Sequence, residues 1–184
     1  MSLQDKKKLA DLKSEAEEFY GKRNAVRTEK LKEAIEAVKK GFISYLSEEG
    51  FTYNDKNTTQ VIEASYKNDI FLYLKYGSPE DRFFGASSVF EVGEQNADRR
   101  TTGKKVTFSM SMQQEDIPHF SYMGTSEGKM AKELAFYEET LLPALKSLGT
   151  SDITGEYVLS VRNEANPRKI IPQTIPEIIE ELMK

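Results

Sequence analysis

Residues 3–49 show the apolar spacing of a helix and contain no proline. Apolar side chains recur every three or four residues and form two narrow seams of the coiled-coil type. The first seam comprises Leu9, Leu12, Ala16 and Phe19, and the second comprises Thr28, Leu31, Ile35, Val38, Phe42 and Tyr45. This pattern predicts a long helical N-terminus.

The two seams do not share one register. Extending the first seam leads to Arg23, Lys30 and Glu33, which are all charged. The mismatch begins within residues 21–24, where glycine weakens a helix and asparagine can cap a new one. The sequence therefore allows either one long helix with a change of register or two helices that break at residues 21–24.

After Gly50 the apolar period changes from helical spacing to alternation. Residues 53–57 are rich in turn-forming types and are read as a turn. Strands are predicted at residues 59–66, 70–76, 83–92 and 105–113, with a fifth at 156–162 and a short sixth at 169–171. Short connections between successive strands favour an antiparallel meander.

Two further helices are predicted. The first has Met130, Leu134, Tyr137, Leu141, Leu145 and Leu148 along one side, and Pro143 should kink or split it. The second opens with Thr174 and Glu177, which form a capping box, and Pro176 lies in its first turn. The expected fold is α+β, an antiparallel meander of four to six strands with helices packed on the sheet. Residues 1–49 are expected to form a helical arm and residues 50–184 the α+β domain.

Composition excludes several kinds of site. The 184 residues include 26 Lys and Arg and 30 Asp and Glu, which gives a net charge of −4. This charge does not suit a protein that coats nucleic acid without sequence preference. The absence of cysteine excludes disulfides, thiolate zinc sites and cysteine nucleophiles. No apolar stretch reaches the length of a membrane span, and no signal segment is recognisable. We therefore expect a cytoplasmic protein without a membrane partner.

A basic cluster lies where a hairpin tip is predicted, and it consists of Arg99, Arg100, Lys104 and Lys105. Such cations can grip phosphates or carboxylates. Three acidic residues just before the cluster partly neutralise it, and charged loop tips are common. A solvated loop is therefore preferred, and nucleic-acid binding through this tip is retained as an alternative.

Glu115, Asp116 and His119 form the second candidate, a loop that combines two carboxylates with the single histidine. These side-chain types can bind a divalent ion or a small ligand. The loop lacks the rigid spacing of a helix-borne metal motif, so neither a metal nor a cofactor is assigned. His119 has no identifiable orienting partner or nucleophile, so no catalytic residue is assigned either. A small-ligand site or an enzyme around His119 is the remaining alternative.

Residues 124–128 match the G-x-S-x-G motif of the nucleophile elbow. That motif needs a parallel sheet and a histidine after the serine, whereas His119 precedes Ser126. Helix capping by the serine or by its threonine neighbour is the better interpretation.

From the second of the two possible N-terminal helices onward, the order of helix, strands, helix, strands and helix is similar to that of the small acidic dimeric chaperones of bacterial secretion systems. This chain departs from that order by an extra N-terminal helix and an extra strand, and no residue motif carries over. The resemblance implies a binding protein.

The resemblance to these chaperones and the two offset apolar seams together favour a non-enzymatic, chaperone-like adaptor. We expect it to bind proteins and to self-associate through its N-terminal helices. The seam residues expected at that interface are Leu9, Leu12, Phe19, Leu31, Ile35, Val38 and Phe42.

Overall fold

The computed structural model describes residues 2–79, 87–98, 100–113, 115–123, 126–162 and 170–184. It has the predicted α+β architecture, in which helices pack on an open antiparallel sheet. The helices are α1 (Leu3–Glu48), α2 (Ser126–Ala135), α3 (Leu142–Leu148) and α4 (Ile175–Met183). A π-helical turn, Phe136–Leu141, joins α2 to α3.

The sheet contains seven strands within the described residues, and their spatial order follows the chain. Every neighbouring pair is antiparallel, so the sheet is a complete meander. The strands are β1 (Thr52–Lys56), β2 (Val61–Tyr66), β3 (Ile70–Tyr76), β4 (Ser88–Gln95), β5 (Thr101–Met112), β6 (Tyr157–Arg162) and β7 (Ile170–Pro172). The helical segment from α2 to α3 is inserted between β5 and β6.

Strand β1 was not predicted, because its polar sequence reads as a turn. It forms because β2 offers an edge whose backbone groups need partners, and Thr52 pairs with Ser65 while Lys56 pairs with Val61. An edge strand with solvent access tolerates polar side chains on both faces. The sheet consequently exceeds the expected four to six strands. The first residues of the strand predicted at 83–92 lie outside the described part of the chain, and the observed β4 continues to Gln95.

Helix α1 is one continuous helix, which settles the choice between one helix and a pair. Gly21 lies within it, and a Cβ added there would meet nothing within 4 Å. The change of seam register is accommodated because the two ends of the helix pack in different places. Residues 3–29 contribute to one compact unit and residues 30–48 to another.

The first unit comprises Met1–Glu29 and Gln114–Thr154, and the second comprises Lys30–Gln113 and Gly155–Lys184. This grouping describes contacts in the folded chain. The predicted division into a helical arm of residues 1–49 and an α+β domain of residues 50–184 stays a prediction.

The core of the second unit lies between one sheet face and two helical segments. The later half of α1 supplies Leu31, Ile35, Val38 and Phe42, and α4 supplies Ile178. The sheet side of this core consists mainly of alternate residues of β2 to β6, among them Ile62, Leu72, Leu74, Phe90, Val92, Phe108, Met110, Leu159 and Val161. The predicted capping box fixes the start of α4, since the Thr174 N–H donates to Glu177 at 2.7 Å.

The core of the first unit is smaller. Ala16 of α1 packs with Leu141, Leu142 and Leu145, and half-buried Leu12 and Phe19 lie against them. The π turn ends just before Pro143, with the Leu142 N–H bonded to the carbonyl of Tyr137 five residues earlier. Proline has no N–H and crowds the carbonyl four residues before it, so a widened turn at this point keeps the helix continuous.

Candidate functional site

The first unit contains a cavity of about 190 Å³, which we call the Arg27 pocket. Helix α1 forms one wall, the segment after β5 forms the other, and a residue after α3 completes it. Its lining residues are Tyr20, Arg23, Asn24, Arg27, Glu115, Asp116, Ile117, His119 and Ile153.

A buried ion pair holds the walls of the pocket together. Both terminal nitrogens of Arg23 donate to the two carboxylate oxygens of Asp152 at 2.7 Å. Arg23 also donates to the carbonyl of Gly149 at 2.7 Å, and Asp152 accepts the backbone N–H of Glu115 at 3.1 Å. Arg23 thereby connects α1 to the turn after α3, and Asp152 connects that turn to the segment after β5.

The pKa values of Arg23 and Asp152 reflect the hydrogen bonds between them. The bond to Asp152 is the largest cause of the raised pKa of Arg23, and the same bond lowers the pKa of Asp152. The nearby Glu115 carboxylate adds to the effect on Arg23. Burial raises the pKa of the Tyr20 hydroxyl in the same wall. Both members of the ion pair therefore stay charged at neutral pH and neutralise each other.

The remaining charged groups of the pocket have no such partner. Arg27 is half-buried, and the structure shows no hydrogen bond or ion pair for its side chain among the described residues. The side chains of Asp116 and His119 are exposed and equally without a partner in that part of the chain. Apart from Arg23, which is paired with Asp152, the pocket thus presents one cation, Arg27, on its helical wall and two carboxylates, Glu115 and Asp116, on its opposite wall.

The three residues of the predicted ligand loop are brought together by the structure. Glu115, Asp116 and His119 all line the Arg27 pocket. No group of three or more histidine, aspartate or glutamate side chains suited to a metal ion occurs among the residues described. The three residues line a polar cavity of mixed charge, together with Arg23 and Arg27.

The helical wall of the pocket was not predicted, although the sequence of α1 does carry a signal for it. Tyr20, Arg23, Asn24 and Arg27 are spaced i, i+3, i+4 and i+7, which places them on one helix face. This mainly polar face continues the first apolar seam along the helix. Such a change from apolar to polar side chains on one face indicates a polar site beside the core that the seam contacts. The contact with residues 115–119 could not be anticipated, since it joins segments about ninety positions apart.

The described part of the basic cluster extends from the turn between β4 and β5 into β5 itself. Arg99 lies outside the described residues, and Arg100 adjoins the turn, where its N–H donates to Asn96 at 2.9 Å. Lys104 and Lys105 lie within β5, and Lys105 forms an ion pair with Glu91 at 2.7 Å. The described cations are thus spread along the strand, and their role in binding stays a prediction.

The seam residues that were expected at a helical interface lie against the chain itself. Leu31, Ile35, Val38 and Phe42 are at most 5% exposed in the core of the second unit. Leu9 is buried, and Leu12 and Phe19 pack in the first unit. A side chain already covered by its own chain offers little surface to another molecule.

The G-x-S-x-G segment contributes no assigned chemistry. Its first two residues lie outside the described part of the chain, and Ser126 is the first residue of α2. The strands on either side of the helical insertion, β5 and β6, pair antiparallel, which differs from the parallel sheet around a nucleophile elbow.

Comparison of the chain with models of known protein families, with curated proteins and with solved structures finds no match. No helix of the described residues is both long and apolar enough to cross a membrane.

Proposed function

We propose that this chain is a non-enzymatic binding protein that holds a small zwitterion, a molecule with a carboxylate and a protonated amine, in the Arg27 pocket. The single observation behind this proposal is that an unpaired guanidinium and two carboxylates line the same cavity. A ligand that carries both charges complements both walls.

The carboxylate end of the ligand suits Arg27. Arg27 is half-buried and lines the cavity, and among the described residues its guanidinium has no acceptor. Its planar fork of donors matches a carboxylate in bidentate geometry. Asn24 lies one helical turn from Arg27 and supplies an amide donor to the same cavity.

The amine end of the ligand suits the opposite wall. Glu115 and Asp116 are adjacent in sequence, line the pocket and are exposed. Once Arg23 and Asp152 have neutralised each other, these carboxylates outnumber the remaining cation, Arg27, by one. The pocket therefore favours a ligand with at least one positive charge beside its carboxylate.

The size of the cavity limits the ligand. Pockets for drug-sized molecules and cofactors span about 300–1,000 Å³ and are mostly apolar. At about 190 Å³ with charged walls, this cavity suits a molecule the size of a free amino acid. We therefore propose no cofactor.

Binding without catalysis is the simpler use of the site. A general base needs an orienting partner and a nucleophile or substrate proton within hydrogen-bond reach. The structure shows neither for His119 among the described residues, which leaves His119 as a polar wall of the pocket.

The proposal is tested by calorimetry and thermal shift with the twenty free amino acids, each beside its methyl ester and its N-acetyl derivative. At least one free amino acid should raise the melting temperature, and blocking either end should abolish the shift. Arg27→Gln should weaken binding at least tenfold, whereas Lys22→Gln, which alters an exposed cation of α1 outside the pocket lining, should leave it unchanged. The absence of any shift, or equal binding by Arg27→Gln, would overturn the proposal.

A cytoplasmic protein-binding adaptor, as the sequence predicts, is the second candidate, and a free strand edge in the second unit favours it. A pull-down from lysate, with and without nuclease, separates the outcomes. A stoichiometric protein partner that survives nuclease supports the adaptor. Partners lost on nuclease treatment would instead implicate Arg99, Arg100, Lys104 and Lys105 in nucleic-acid binding.

A further inference from the structure

The two edges of the sheet differ in how well they are protected. Strand β7 has three residues and ends in Pro172, which has no N–H to donate. Strand β1 has five residues and no proline, and within the described residues only β2 pairs with it. In the described part of the chain its other side thus presents unpaired backbone N–H and C=O groups, which can accept a further strand.

We propose that β1 pairs antiparallel with β1 of a second copy of this chain, around a twofold axis at Asn54. The proposal is independent of the Arg27 pocket, because all residues involved belong to the second unit. We infer a second copy as the partner because β1 can pair with itself along its full length without placing like charges opposite each other.

The side chains of β1 fix the register of this pairing. With Asn54 opposite its counterpart, Tyr53 faces Asp55, and Thr52 faces Lys56 of the other copy. All five residues are then paired, and no like charges stand opposite each other.

The neighbouring registers are less favourable. Side chains that face each other across paired strands must lie on the same face of the sheet, so the register can change only in steps of two. A step in one direction places Asp55 opposite Asp55 of the other copy, which like-charge repulsion disfavours. A step in either direction leaves only three residues of β1 paired with β1.

Exposure along the strand supports the same surface. The side chains of Thr52 and Asn54 are exposed, and Tyr53 is 54% exposed, one of the most exposed large apolar side chains among the described residues. Pairing with a second copy covers part of the tyrosine ring. It also satisfies the backbone groups that alternate residues direct to the free edge.

The association should be weak and reversible. Pairing of two five-residue strands buries less area than the 1,200 Å² or so of a standard stable interface. Dimers are therefore expected only in concentrated solution.

Sedimentation equilibrium over a range of concentrations should show a monomer–dimer equilibrium. Asn54→Asp and Asn54→Lys each place like charges on the axis, so each variant alone should dimerise at least tenfold more weakly. An equimolar mixture of the two should recover association through opposite charges, which also excludes misfolding as the cause of the loss. A wild-type monomer at all concentrations, or unaltered dimers of both variants, would overturn the proposal.

Cross-linking tests the register directly, since the chain has no native cysteine. Two Asn54→Cys residues would have Cα atoms about 4.5–5.5 Å apart, within disulfide range. In the matched variant Thr52→Cys the two cysteines are about 13 Å apart and cannot be joined. Mild oxidation should link the first variant much faster than the second, and equal rates would overturn the Asn54 register.

Discussion

Arg23 and Asp152 form a bidentate ion pair that is almost completely shielded from water. Both nitrogen–oxygen distances are 2.7 Å, and the side chains are only 6% and 4% exposed. The pair connects residues 129 positions apart in the chain and sets the spacing of the pocket walls. Its removal should therefore affect both stability and the shape of the Arg27 pocket.

Replacing one partner of this pair should be strongly destabilising. Arg23→Met leaves the Asp152 carboxylate buried without its counter-ion, and such changes cost about 3–5 kcal/mol. Urea unfolding followed by circular dichroism measures the loss. Lys7→Met removes an exposed lysine of the same helix and should change the free energy of unfolding by less than about 0.5 kcal/mol. The double variant Arg23→Met with Asp152→Leu should recover part of the lost stability. If Arg23→Met cost as little as Lys7→Met, the ion pair would not stabilise the fold.

The same pair should make the protein sensitive to acid. The hydrogen bonds from Arg23 lower the pKa of Asp152 in the folded state, so its stabilising contribution is present above the unfolded pKa and is lost as pH falls through the folded value. The loss should begin near pH 4, close to the ordinary pKa of aspartate. Asp152→Asn should have a shallower decline in unfolding free energy below pH 4 than wild type. Parallel curves for the two proteins would show that Asp152 does not contribute.

Parts of the fold that depend on local patterns could be predicted from the sequence. The apolar alternation of β3 gave its bounds, and Thr174 and Glu177 marked the start of α4. Strand β1 could not be predicted, because its pairing depends on the backbone edge that β2 offers rather than on its own side chains. Arg23 illustrates a similar limit, since a charged residue in an apolar seam signals a partner without identifying it.

One wall of the candidate site could also be predicted from a local pattern in the sequence. Glu115, Asp116 and His119 are close in sequence, so their residue types alone drew attention to them. The helical wall comes from a distant segment, and only the folded chain places Arg27 opposite the loop. Long-range pairing between segments is the information that residue spacing does not contain.

Gly93 is required by the ring of Tyr73, its partner across β3 and β4. A Cβ at position 93 would overlap the ring and hydroxyl of Tyr73, which is buried. Gly93→Ala should therefore cost about 1–3 kcal/mol of unfolding free energy.

A double-mutant cycle identifies the cause. In a Tyr73→Val background the Gly93→Ala change should cost much less, because the overlapping ring is gone. Gly21→Ala is the matched control, since open space surrounds it within a helix and alanine there should be neutral or stabilising by up to about 1 kcal/mol. Equal costs for Gly93→Ala in the two backgrounds would show that the ring is not responsible.

Tyr73 should make the protein sensitive to alkali. Burial, together with the hydrogen bond that its hydroxyl donates to Glu91 at 2.8 Å, raises its pKa to about 12. A group whose pKa is raised on folding stabilises the protein below its unfolded pKa, and that contribution is lost as pH rises through the folded value. Between about pH 10 and 12, wild type should lose roughly 2–3 kcal/mol more than Tyr73→Phe. Unfolding experiments across this range measure the difference, and a Tyr73→Phe variant with the same alkaline decline would refute the assignment.

Ser88 carries a buried polar group that brings no visible benefit to the fold. The residue is fully buried on the core face of β4, and its hydroxyl oxygen has no hydrogen-bond partner among the described residues. An unsatisfied hydroxyl retains its desolvation cost, so Ser88→Ala should leave stability unchanged or raise it by about 1 kcal/mol.

Ser160 provides the matched comparison for this change. It is also buried in a strand, but its hydroxyl lies 3.2 Å from that of Ser109 in hydrogen-bonding geometry. Ser160→Ala should therefore destabilise by about 1 kcal/mol, because it removes a hydrogen bond and leaves the Ser109 hydroxyl without that partner. Urea unfolding of both variants gives the two values directly. If Ser88→Ala destabilised as much as Ser160→Ala, the Ser88 hydroxyl would have to be satisfied in solution, and its burial would then contribute to stability instead of opposing it.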